Sequence, residues 1–111
     1  MSDLTLKVLS ISDAVPAWAG PAFEVSCASQ AASARQFDAV VFHAPDDTAL
    51  DALLRRADLQ QAAFDSAVVV VAPTAELGAE LALLKQGVQD IVRGLDNAAM
   101  GRLLWHAVER T

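Results

Sequence analysis

The stretch AVVVVA, residues 67 to 72, is six consecutive apolar residues, four of them valine, ended by Pro73 and Thr74. Valine is branched at Cβ and stiff at χ1, so a run of it prefers the extended backbone to the helix. Successive side chains of a strand point to opposite faces, and a strand that is apolar on both must be covered on both. The run from Ala39 to Phe42 (AVVF) makes the same demand a second time. Two strands of this kind call for a sheet with a layer of helices above it and another below.

The rest of the chain supplies those layers in alternation. Leu4 to Ile11 (LTLKVLSI) and Phe23 to Cys27 (FEVSC) read as two more strands, and Asp90 to Val92 as a very short fifth. Between Asp13 and Pro21 two prolines and a glycine rule out a long helix, leaving a turn or two at most. Ala28 to Gln36 is alanine-rich and predicts a helix of two turns. Asp46, Asp47 and Thr48 offer an N-cap and a negative first turn to a helix carrying Leu50, Leu53, Leu54 and Ala57 at helical spacing. From Ala75 to Gln86, the spacing of Leu77, Leu81 and Leu84 predicts an inward face, closed by Gly87 as a glycine C-cap. Leu95 to Arg110 predicts the last helix, with Met100, Leu103, Leu104, Ala107 and Val108 inward. Five strands alternating with about five helices predict a parallel sheet with right-handed crossovers.

Length and charge bound the rest. A chain of 111 residues makes one domain with a single core, here spanning 1–111 without linker or repeat. It is 54% hydrophobic, yet no stretch approaches the roughly 20 apolar residues that span a bilayer, and no membrane partner is expected. The start, MSDLTLKVLS, lacks the basic region of a secretory signal. A net charge of −6, with eight Lys and Arg scattered along the chain, disfavours nucleic acid. Cys27, alone in an apolar segment, reads as a buried inert thiol and fits a reducing cytoplasm. The polar helical ending HAVERT reads as a cut within a longer protein.

QFDAVVFHAPDD (36–47) is similar to the third-strand region of bacterial response-regulator receiver domains. LALLKQGVQDIVRG, followed by AAMGRLLWHAVER, is similar to their fourth helix, fifth strand and fifth helix. The resemblance implies a flavodoxin-like, doubly wound, five-stranded parallel sheet of order 2-1-3-4-5 with helices on both faces, the first one shortened here. It also implies a site at the carboxyl ends of the strands. There a carboxylate ending the third strand takes a phosphoryl group, two acids after the first strand hold magnesium, and a hydroxyl and a lysine ending the fourth and fifth strands bind the phosphate.

Residue by residue, that set is degenerate. Aligned on Phe37 and Asp38, the nucleophile position falls on His43. Ser12 and Asp13 stand where two acids are usual, Ala72 takes the hydroxyl position, and Arg93 or Gly94 falls near the lysine, DIVRG being one residue shorter than the usual pattern. One carboxylate and a histidine make a poor magnesium site, so no metal and no cofactor are expected. His43 is expected to be a hydrogen-bonded histidine in a vestigial pocket beside Asp13, and the pair Asp46 and Asp47 to cap a helix rather than act as displaced acids. No glycine-rich phosphate loop follows the first strand and no catalytic triad or paired carboxylates can be drawn, so an enzyme is not expected.

Function is then expected on a surface. In receivers the face of the fourth helix, fifth strand and fifth helix carries partner contacts, and two residues here point to it. Trp105 lies about 100° round from Leu104, and Leu83 lies off the stripe of Leu77, Leu81 and Leu84, with Ala79 and Ala82 adding apolar surface. Trp18 is expected to cover the gap left by the short first helix. The expectation is a phosphorylation-independent module that dimerises or docks a protein partner, such as an adjacent sensor or output domain. The competing expectation is a divergent receiver still phosphorylated by an unusual route at His43 or Asp46.

Overall fold

The computed structural model describes residues 6–12, 23–29, 34–93 and 97–109. Among them, five strands are joined into one sheet: β1 (Leu6–Ile11), β2 (Phe23–Ala28), β3 (Ala39–His43), β4 (Ala67–Val71) and β5 (Asp90–Val92). The order is β2-β1-β3-β4-β5 and every pairing is parallel. The helices are α1 (Asp47–Leu54), α2 (Ala57–Asp65), α3 (Leu77–Lys85) and α4 (Asn97–Glu109), with a 3-10 turn at Ala34–Gln36. The doubly wound sheet expected from the alternation is therefore what forms.

The two-sided strands bury as their composition demands. Val40, Val68 and Val70 face a layer made by α1, α2 and α3 through Leu50, Leu53, Leu59, Ala62 and Leu83. Val41 and Val69, one residue over in the pleat, face α4 through Leu104 and Ala107. Each such side chain contributes about 1.5–3 kcal/mol by leaving water. The central strands therefore carry most of the cohesion.

Several expectations change in detail. The helix after β3 is two helices: Arg55 ends α1, and Arg56, with extended backbone (φ −73°, ψ 130°), starts α2. The two-turn helix expected over 28–36 is not formed as such, because Ala28 is still paired in β2, and the helical element described between β2 and β3 is the short 3-10 turn. The turn or two expected at most within 13–21, with Asp13 and Trp18, falls outside the described residues. Cys27 is exposed rather than buried, since β2 is an edge strand with a single neighbour and its carboxyl end, Ser26 and Cys27, is uncovered.

The largest correction concerns α3. Leu83, expected on the surface, is 0% exposed, whereas Leu77, Leu81 and Leu84, expected inside, are 69%, 49% and 47% exposed. The end of the helix explains the inversion. The Val88 N–H donates to the Leu83 carbonyl and the Gly87 N–H to the Leu84 carbonyl, a Schellman closure with Gly87 at φ +100°. That closure packs the residue after the glycine against the third residue from the helix end, and here Val88 and Leu83 enter the same core cluster. Ala75, buried just ahead of the helix, anchors the other end. Leu83 is thus a core residue and not part of any interface.

Candidate functional site

The carboxyl ends of the strands bring Ser12, His43, Ala72 and Arg93 to one edge of the sheet. The register places Ile11 beside Phe42, His43 beside Val71 and Val71 beside Val92, so these residues end or directly follow aligned strands. Asp13, the one acid expected among them, lies outside the described residues.

Each position has its own chemistry. His43 is half-buried as the last residue of β3. Burial holds its pKa below the usual histidine value, with a hydrogen bond to the Ile11 backbone opposing the shift. The imidazole is therefore neutral at neutral pH. The Ser12 hydroxyl lies 2.8 Å from that of the fully buried Ser10. Ala72 is fully buried, and its N–H donates to the Val92 carbonyl at 2.7 Å. Arg93 donates through Nη2 to the Ala75 carbonyl at 2.8 Å and to the Glu80 carboxylate, which ties the end of β5 to the β4–α3 loop and to α3.

The acids after β3 serve the helix. Asp46 is the N-cap of α1, its Oδ1 accepting the Ala49 N–H at 2.8 Å, as the capping signal predicts. Asp47 accepts the Thr74 hydroxyl at 2.8 Å. Together with Arg93, this clamps the β4–α3 loop between the start of α1 and the end of β5. Among the described residues, no three His, Cys, Asp or Glu side chains are placed to share a metal ion. The described donors at the strand ends, an imidazole and a serine hydroxyl, supply fewer oxygens than a hard cation takes. Sequence reasoning missed two participants, Thr74 and Arg56. Arg56 forms two 2.8 Å bonds to the Asp58 carboxylate and one to the Ser29 carbonyl, with its guanidinium 5.4 Å from the Phe42 ring centroid.

On the surface, Leu77 and Leu84 flank Glu80 at helical neighbour spacing, and Glu80 reaches Arg93 at the end of β5. The exposed stripe of Leu77, Leu81 and Leu84 accordingly borders the β5 side of α3. Trp105 is half-buried on α4, packed with Val71, Leu103 and Val108 against the second core cluster.

Three solved structures of similar shape bear on this arrangement. A pilus assembly-related protein of Burkholderia pseudomallei superposes with a TM-score of 0.64 at 15% identity, covering 99% of this chain and 93% of that one. An orphan response regulator of H. pylori gives 0.61 at 14% identity, covering 95% and 98%. The receiver domain of a sensor histidine kinase from Pseudomonas aeruginosa gives 0.55 at 12% identity, covering 95% and 98%. The chain has the receiver fold. No family model matches it, and no curated protein does. The Pseudomonas receiver has a magnesium ion coordinated in its active-site cleft. At the strand ends of this receiver fold stand His43, Ala72 and an Arg93 already engaged by Glu80.

Proposed function

We propose that this chain is a receiver-like domain that works without phosphorylation, as a protein-interaction or dimerisation module in bacterial signal transduction. The observation that carries the reading is the exposed stripe of Leu77, Leu81 and Leu84 beside β5, an apolar face on a helix that is anchored in the core by Leu83. The chemistry at the strand ends supports it. An imidazole kept neutral by burial and a methyl group at the hydroxyl position offer no means of binding magnesium and a phosphoryl group together. The hydrogen bonds from Thr74 to Asp47 and from Arg93 to the Ala75 carbonyl brace the β4–α3 loop just ahead of the helix that carries these leucines.

The face to be used is α3, β5 and α4, with Trp105 at its α4 margin. The partner is a second copy or a neighbouring protein domain; no nucleic acid, membrane or enzymatic activity enters this reading, and the expected compartment is the cytoplasm. The likeness to a pilus assembly-related protein suggests pilus assembly as a setting in which such a module would serve. No helix among the described residues is long and apolar enough to cross a membrane.

Two measurements test the proposal. Incubation with acetyl phosphate and magnesium, followed by intact-mass measurement, is expected to show no phosphoryl adduct; a stable adduct on His43 or Asp46 would establish the divergent-receiver alternative. Sedimentation of the chain beside Leu81→Glu and Trp105→Ala variants is expected to show weaker association in both. Monomer at all concentrations for all three, together with unchanged capture of partner domains by the variants, would remove the interface.

A further inference from the structure

A cleft opens on the α1 side of the sheet, with His43 at its strand-end margin. Ile11, Phe42, Ala49, Ala52 and Leu53, with the polar groups of His43 and Arg56, line a space of about 250 Å³. Ala49 and Ala52 stand three residues apart on one flank of α1, and their small side chains leave the space open. Arg56 is held in place rather than left to wander. Its Nε and Nη2 are bonded to the two oxygens of Asp58, Nη2 also reaches the Ser29 carbonyl, and the guanidinium lies over Phe42. These bonds engage Nε and Nη2, so the Nη1 donors remain for a further acceptor.

Ligand sites in proteins are concave, mostly apolar, and oriented by a few converging polar groups. This cleft has that composition, and the charge at its rim selects the ligand. The Arg56 charge is already compensated by Asp58. An ion entering here would meet no uncompensated counter-charge. The volume corresponds to roughly eight water molecules at about 30 Å³ each, which suits one ring or two fused rings.

We propose that this cleft binds a small, neutral, flat heteroaromatic compound, seated against Ala49, Ala52 and Leu53, with an acceptor on its edge facing Arg56 and a polar atom facing His43. Such binding is independent of how the chain is switched and of what its α3 face meets. Adenine serves as the probe and benzoate as its charged counterpart, read by methyl and imidazole NMR signals of the intact chain. Adenine is expected to shift the Ala49 and Ala52 methyls and the His43 ring saturably, with a Kd near or below about 1 mM. Ala52→Leu, which fills the cleft, and Arg56→Met, which removes the donor but leaves the space, are each expected to weaken the response at least tenfold while methyls of β4 keep their positions. No response from Ala49 and Ala52, an undiminished response in both variants, or tighter binding of benzoate than of adenine would overturn the proposal.

Discussion

His43 ends β3 at the carboxyl edge of the sheet, and its surroundings determine what it can do. Burial lowers its pKa more than the Ile11 hydrogen bond raises it, so the folded chain favours the neutral ring. This fixes the sign of the pH dependence. The unfolded chain binds the proton first as pH falls below the usual histidine pKa of about 6.5, so the His43 contribution to stability is intact above that pH and is lost as pH drops towards the lower, folded-state value. Denaturant titrations between about pH 8 and about pH 5 are expected to show a decline in the native chain that is smaller in His43→Gln, while the carboxylate-driven loss at lower pH is common to both. Equal slopes in the two proteins would place the decline elsewhere. The role of His43 as a strand-ending residue could be read from VVFHAPDD, because the run of strand formers stops at it. Its partners could not, since Ile11 is distant in sequence and adjacent only through the pairing of β1 with β3.

At the scale of the element, α3 teaches the most. Its sequence, LGAELALLK, has leucine or alanine on nearly every side, so spacing alone offers two faces of similar apolarity. The stripe of Leu77, Leu81 and Leu84 is the longer, yet the fold buries the side containing Leu83. A signal for this was present in Leu83, Gly87 and Val88, whose spacing is that of a glycine-closed helix end with its apolar contact. The energetic consequence is testable by thermal or chemical denaturation. Leu83→Ala is expected to cost about 2–5 kcal/mol, as for other fully buried leucines, whereas Leu77→Ala is expected to stay within about 0.5 kcal/mol. The reverse order would restore the face expected from spacing. Gly87→Ala forces a Cβ onto a backbone at φ +100° and to 3.0 Å from the Ala63 Cβ. A loss of at least about 1 kcal/mol is expected from the backbone alone.

For the whole molecule, cohesion is concentrated where valine runs meet both helical layers. Amide exchange is expected to be slowest in β3 and β4, where Val40, Val41, Val68, Val69 and Val70 are fully buried, and to proceed through local opening in the edge strands β2 and β5. Comparable protection in β2 and β4 would contradict that distribution. The sequence by itself determined the parallel, two-layered architecture, because a strand apolar on both faces has few other ways to leave water. It also determined the strand order through its resemblance to receivers. The tertiary structure alone decided which side of α3 faces water, that Cys27 lies exposed on an edge, that Arg56 splits one expected helix into two while reaching Ser29 and Phe42, and that Thr74 and Arg93 clamp one loop between them. These depend on contacts between residues far apart in the chain, and helical or strand periodicity carries no record of which neighbour a side chain will meet.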